Sequence, residues 1–448
     1  MRFAKSMENR MSTGVAADRP LEAIAAGIAL GGIYVFAFSA PWSTSLVEVG
    51  LFLIVVGSLP VLPLIWRDLR REPVFWVTLV LVAYLAIHST VYLHLYPRLD
   101  EMKNPNWSHW LRTAGLWSLL LGWWLYRRPN HAKPLVLALI LGLFFGVLVK
   151  GGYDSVLSGE LWAHRRSILV YSDYLGYSPN YLGLATGAAI LSITAWVVLE
   201  QRGVLNGWQW AGTALLLVLL VMMFIGSGSR SAWLALPAGL GVVFLYGLVG
   251  YGARDSLKPV LISTLFTGAI LVGLVFVYRE FLFVRLEREW DVLFLFLSLD
   301  WAAAAEIPAP LGYRVAMWMR GMDALLEAPM FGWGAGSGIY QLEGEGFGFR
   351  HFHNIYLELL VSFGFMGAAG FLVVHGLIYA RTLAAYRSSA ISRAMFVGLG
   401  AVTLFLLIKL SFEIRIGHSE GRALITSLYA FHAYAMYRFR ERLDDGND

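Results

Sequence analysis

The chain has 448 residues, of which 58% are hydrophobic and only 15% charged, with mean hydropathy +0.62 and net charge +5. A soluble protein of this size carries about a quarter charged residues, so the composition excludes a water-soluble globule and implies a polytopic membrane protein. It contains no cysteine, which excludes disulfides, iron–sulfur clusters and cysteine–zinc sites.

The segment Met1 to Pro20 is polar and basic, and the first apolar run follows it without a small-residue cleavage site, so that run reads as an uncleaved first span. Runs long enough to cross about 30 Å of hydrocarbon then recur at Leu21–Phe38, Val47–Trp66, Pro73–Tyr92, Trp110–Tyr126, Pro134–Val149, Tyr181–Leu199, Trp208–Ile225, Ala232–Val249, Pro259–Val277, Ile355–Ala380, Ala394–Phe412 and Ala423–Tyr437. Backbone polar groups must be satisfied within the bilayer, so these runs are helices. The expected fold is an all-α polytopic membrane protein of about twelve spans, a single integral membrane domain over residues 1–448. The 17 tryptophans and 21 tyrosines suit two interfacial belts.

Lys and Arg in short loops set orientation. Arg2, Lys5, Arg10 and Arg19 precede the first span, and Arg67, Arg70 and Arg71 follow the second. Arg127, Arg128 and Lys133 follow the fourth, Arg381, Arg387 and Arg393 the tenth, and Arg438, Arg440 and Arg442 the last. All fall on one side if both termini are cytoplasmic, and this bias accounts for the net charge without nucleic-acid binding, for which no basic patch is present. The other side then carries Gly151–Asn180, the short Gly226–Arg230 turn and one large loop, residues 278–352. Within that loop Phe281–Leu299 reads as a helix lying on the membrane and Tyr313–Glu327 as a second amphipathic helix. Pro329 and the glycines at 332, 334, 336 and 338 break the chain, as a mobile hinge or as backbone N–H nests for an anion.

Arginine on this side runs against the orientation bias. Arg230 begins a span after Gly-Ser-Gly-Ser, Arg165 and Arg166 are adjacent in an outer loop, Arg314 and Arg320 lie on the second amphipathic helix, and Arg350 precedes the tenth span. Arg binds phosphate bidentately and stays charged near lipid, so the set reads as a cage for a diphosphate; snorkelling to lipid phosphates is the plain alternative for each alone. His353 and Asn354 stand where the loop meets the tenth span. Asn favours the N-cap position, which sets the imidazole beside free N–H groups and the positive helix end, a field that keeps the ring neutral as a general base requires. The plain alternative is an interfacial histidine with a satisfied hydrogen bond. Glu287, Glu289 and Asp291 alternate with Arg288 and read as a solvated or self-paired face. His375 and His432 read as packed, hydrogen-bonded mid-span residues, and Lys409 with Glu413 as a structural pair. His351 and His353 have no third ligand in the sequence, so neither a metal nor a cofactor is expected.

Gly228-Ser-Arg230-Ser, the loop with Gly312-Tyr-Arg314 and Pro329-Met-Phe-Gly-Trp-Gly-Ala-Gly336, and His353-Asn354-x-x-Leu357-x-x-Leu360-x-x-x-Gly364-x-x-Gly367 together resemble the O-antigen ligase and O-antigen polymerase superfamily. The resemblance implies a GT-C-like glycosyltransferase of the Gram-negative inner membrane with a periplasmic active site. It also implies that His353, Arg230 and Arg314 match the family's essential positions, with Arg165, Arg166 and Asn354 as further substrate-binding candidates. The implied reaction moves a glycan from undecaprenyl diphosphate to lipid A–core, with inversion and without a metal. Ligase is preferred over polymerase on the compact chain and the His-Asn junction. A protein O-oligosaccharyltransferase and, from another class, a secondary transporter are the alternatives.

Overall fold

A computed structural model describes residues 20–95, 110, 115–151, 179–199, 206–249, 276, 279–343, 351–413 and 419–446. Every regular element among them is helical. In chain order the α-helices are α1 (Pro20–Ser39), α2 (Thr44–Ser58), α3 (Leu62–Leu69), α4 (Pro73–Leu95), α5 (Leu116–Arg127), α6 (Ala132–Gly151), α7 (Pro179–Leu199), α8 (Gly207–Gly226), α9 (Arg230–Val249), α10 (Arg279–Leu297), α11 (Trp301–Glu306), α12 (Pro310–Glu327), α13 (Ser337–Glu343), α14 (Ile355–Arg387), α15 (Arg393–Leu410) and α16 (Ser419–Gly446). Eight described segments are long and apolar enough to cross a membrane, and they coincide with eight expected spans. Helices α5, α9 and α16 fall on three more, while nearly all of the expected span Pro259–Val277 lies outside the described residues. This is an all-α polytopic membrane protein.

The bundle has two main apolar cores. One joins α7, α8, α9 and α15 around Leu184, Leu191, Ala235 and Phe405; the other joins α1, α2, α5 and α16 around Ile33, Ile54, Trp123 and Tyr437. Lipid supplies no hydrophobic drive between helices, so close backbone approach matters. Helices α1 and α2 achieve it at Gly32 and Gly50, where a Cβ on either would strike backbone of the other helix. Mid-span His432 is held by Thr382 Oγ1 at Nδ1 (2.9 Å) and Thr403 Oγ1 at Nε2 (3.3 Å), and His375 Nδ1 bonds Phe371 O (2.6 Å), so both are packed, hydrogen-bonded residues as expected. At one end of the bundle buried Glu72 receives Arg440 (3.2 Å) and Arg381 (4.0 Å), which joins the ends of α4, α14 and α16.

The large loop folds into α10–α13, and both expected amphipathic helices are present there as α10 and α12. The expected span Ile355–Ala380 differs in one respect: α14 is two helices joined at Gly364, whose φ of 62° and ψ of −167° are not helical. The break removes the intrahelical bonds that Phe365 N and Met366 N would make to Val361 O and Ser362 O. Residues 329–334 supply all four missing partners. Trp333 N donates to Val361 O (2.8 Å), Gly334 N to Ser362 O (2.9 Å), Phe365 N to Pro329 O (2.9 Å) and Met366 N to Met330 O (3.1 Å). Helix α4 completes the joint: Tyr84 Oη donates to Phe363 O (3.1 Å) and His88 Nε2 to Phe331 O (2.6 Å). The glycine segment is therefore docked backbone to backbone on a broken helix, and the hinge reading of it is corrected. Non-helical backbone at membrane depth is tolerated only where protein satisfies it.

A Cβ at Gly364 would sit 2.3 Å from the Met330 carbonyl, at a φ that side chains resist. Gly364→Ala is expected to destabilise the protein by about 2–6 kcal/mol from strain and overpacking combined. A thermal melt of the detergent-solubilised variant that matches the parent would refute this account of the joint.

Candidate active site at the loop–bundle junction

Asn354 caps α14 as its sequence position anticipates. Its Oδ1 accepts from Tyr356 N (3.0 Å) and Leu357 N (3.2 Å). His353 immediately before it has φ 52°, in the left-handed region, where His is one of the few side chains found with any frequency. The rings of His351 and His353 meet edge to face at 4.2 Å. Between them lies Phe352, whose side chain is fully buried. Its backbone is gripped at both sides: Trp318 Nε1 of α12 donates to Phe352 O (2.9 Å), and Phe352 N donates to Glu358 Oε2 of α14 (3.3 Å).

Arg314 precedes Trp318 by one turn of α12. Burial pushes its guanidinium below the ordinary value, and the negative charge of Glu413 works against that shift. Arg remains protonated under any such change. Glu413 is itself buried and bonds Lys409 Nζ, which is fully buried and also donates to Ser231 Oγ (3.3 Å). Ser231 adjoins Arg230 at the start of α9, and Arg230 pairs with Glu289 of α10. Ring contact between Trp318 and Phe412 (6.2 Å) and a bond from Tyr356 Oη to Leu407 O (2.8 Å) tie α12 and α14 to the same end of α15.

The elements that carry His353, Arg314 and Arg230 therefore meet at one end of the bundle, opposite Glu72. Arg165, Arg166 and Arg350 lie outside the described residues. Arg320 binds Gln341 through O (3.3 Å) and Oε1 (3.1 Å), which ties α12 to α13. Two readings change. Glu289 is not part of a self-contained helix face, because its carboxylate partners Arg230. Lys409 and Glu413 are a structural pair as expected, but one built into this cluster. The sequence reading did not single out Trp318 or Glu358; an acid in the first turn of an apolar helix was the available signal for Glu358.

Among the described residues no three His, Asp or Glu side chains converge as ligands to a metal would. What the cluster offers is an imidazole at a helix start and guanidinium groups a few contacts away, suited to proton acceptance beside an anion.

Residues 214–372 match the family model described as O-Antigen ligase, Wzy_C. Over that stretch, 159 of the 448 residues, the chain is similar to this family. The matched stretch takes in Arg230, Glu289, Arg314, Trp318, His353 and Glu358 and ends within α14. No curated protein matches the chain.

Removing the Asn354 cap by Asn354→Ala is expected to cost about 1 kcal/mol and to loosen the turn that carries His353. A lowered unfolding midpoint checks the first effect; a midpoint equal to the parent's would contradict the capping role.

Proposed function

We propose that this protein is an O-antigen ligase that transfers glycan from undecaprenyl diphosphate to a sugar hydroxyl of lipid A–core, with inversion and without a metal ion. It works in the Gram-negative inner membrane with both termini cytoplasmic and the His353 end facing the periplasm. The observation that carries the reading is that these groups share one end of the bundle: Trp318 holds the carbonyl before His353, Arg314 one turn earlier feels the charge of Glu413, and Glu413 bonds Lys409, which reaches Ser231 beside Arg230. The orientation is supported by the basic loops: Arg381 and Arg440 meet at Glu72, at the opposite end from this path.

In this reaction His353 removes the proton of the acceptor hydroxyl, and the oxygen attacks the anomeric carbon of the donor glycan. The bond from that carbon to the diphosphate oxygen breaks, and the lipid diphosphate departs from the opposite face. The N-terminal end of α14 disfavours imidazolium before the reaction, which keeps the ring ready to accept. The leaving group is already stable, so holding its growing charge supplies much of the acceleration. Arg230 and Arg314, with Arg165 and Arg166, take that role. Asn354 spends its carbonyl on the cap and has its amide N–H groups for a substrate oxygen.

The test is transfer by the purified protein from lipid-linked glycan to separate candidate acceptors. His353→Ala is expected to lower turnover by about 10²–10⁴-fold; near-normal transfer by that variant would remove the base assignment. Arg230→Lys keeps the charge but loses the fork, so donor use should fall by about 10–10³-fold, and unchanged donor kinetics would count against a phosphate role. Chelator is expected to leave turnover unchanged, and loss of activity restored by a divalent ion would overturn the metal-free chemistry. Growth of the glycan on its own carrier, with no lipid A–core product, would make the enzyme a polymerase, and transfer to a protein would make it an O-oligosaccharyltransferase. Substrate flux in proteoliposomes without any transfer product would make it a transporter.

A further inference from the structure

We infer that Glu358 is the positioning residue that fixes His353, acting through the peptide N–H of Phe352; the inference rests on the reading of His353 as the base. A carboxyl group in a dry site beside a membrane span is costly, and such groups persist where they do something an apolar side chain cannot. Glu358 is 5% exposed. Its Oε2 accepts from Phe352 N (3.3 Å), the residue directly before His353. The carboxylate lies flat on α13, where a Cβ at Gly338 would come within 2.9 Å of Oε1 and 3.0 Å of Oε2. It therefore cannot swing away on that side.

The next peptide along is held by Trp318, which donates to Phe352 O (2.9 Å). With its N–H and C=O both fixed and its ring fully buried, Phe352 has one placement, and the two peptide planes that flank it are set. The left-handed φ of 52° at His353 is then imposed from outside. Non-glycine residues persist in that region only where their surroundings over-determine them. Glu358 provides the half of this grip that belongs to the same helix as the Asn354 cap. Its acceptor oxygen, rather than its charge, is what the geometry uses, and a glutamine carries the same oxygen.

The experiment compares Glu358→Leu, Glu358→Gln and His353→Ala in the full chain, purified in detergent and assayed with lipid-linked glycan and acceptor. Glu358→Leu is expected to lower kcat by about 100-fold, the cost of a misplacement of about 1 Å, with donor KM within about twofold of the parent because phosphate binding is elsewhere. Glu358→Gln is expected to restore kcat to within about fivefold of the parent. Should Glu358→Leu not fold, Gly338→Ala displaces the carboxylate without removing it and is expected to give the same split, with kcat down and donor KM kept. Retention of full kcat by Glu358→Leu, or by Gly338→Ala in its place, would overturn the inference. So would parallel loss of kcat, donor KM and melting temperature, or a Glu358→Gln variant as inactive as Glu358→Leu. An active His353→Ala would instead sink the base reading itself, whereas an inactive His353→Ala beside a fully active Glu358→Leu would sink this inference alone.

Discussion

The arrangement of the whole outer end follows from four backbone groups at the break in α14. The carbonyls of Val361 and Ser362 and the amides of Phe365 and Met366 lose each other when Gly364 leaves the helical region. Each unpaired group at membrane depth would cost several kcal/mol. No side chain of α14 can serve all four, but an extended strip of backbone can, and residues 329–334 are that strip. Once the strip is docked, the chain on either side has little freedom. Helix α12 must end beside it, and α13 must begin there. That is why a loop of this length sits on the bundle as a packed layer and delivers Trp318 to Phe352.

Charge obeys the same economy. The outer end collects fully buried Lys409 with part-buried Arg230 and Arg314, and each interacts with an acid from another element or turn. Glu289 comes from α10, and Glu413 follows α15 and serves both Lys409 and Arg314. The matching acids are the reason that these cations can be held at one end of the bundle. They also explain why α9, α10, α12 and α15 converge although they are far apart in the chain.

Much of this was legible in the sequence, and the parts that were not share a cause. Span positions were readable because apolar length is a one-dimensional signal, and α1, α7 and α15 begin and end within a few residues of their expected bounds. The Asn354 cap was readable because capping is local. The break at Gly364 was not, since Leu-Val-Ser-Phe-Gly-Phe-Met-Gly is apolar on both sides and composition alone continues the helix. Glycines 332 and 334 read as loose for the same reason: their partner strip lies some thirty residues onward, in a segment that itself looked helical. Glu289 was assigned to its own helix face because charge alternation is visible locally, whereas its partner Arg230 is 59 positions away. Arg314 and His353 were identified as members of one site by motif, but the link between them runs through Trp318 and a backbone carbonyl, neither of which a motif records.

The two ends of the bundle use buried acids in opposite ways. Glu72 is almost fully buried, and burial raises its pKa even though Arg381 and Arg440 both pull it down. Two guanidinium groups on one dry carboxylate make a joint that is expensive to open, because removing either partner strands charge. The pair of Arg230 with Glu289 is built differently: the Arg230 side chain is 35% exposed, and the acid is held by one arginine at the edge of the loop. Pairs with that much water access are worth only about 0–1 kcal/mol, so this one opens at little cost. A diphosphate carries more negative charge than the carboxylate and can also take the guanidinium fork bidentately. In the proposed reaction Glu289 thus holds Arg230 in the resting protein and yields it to the donor, while Glu72 holds the far ends of α4, α14 and α16 fixed as the exchange takes place.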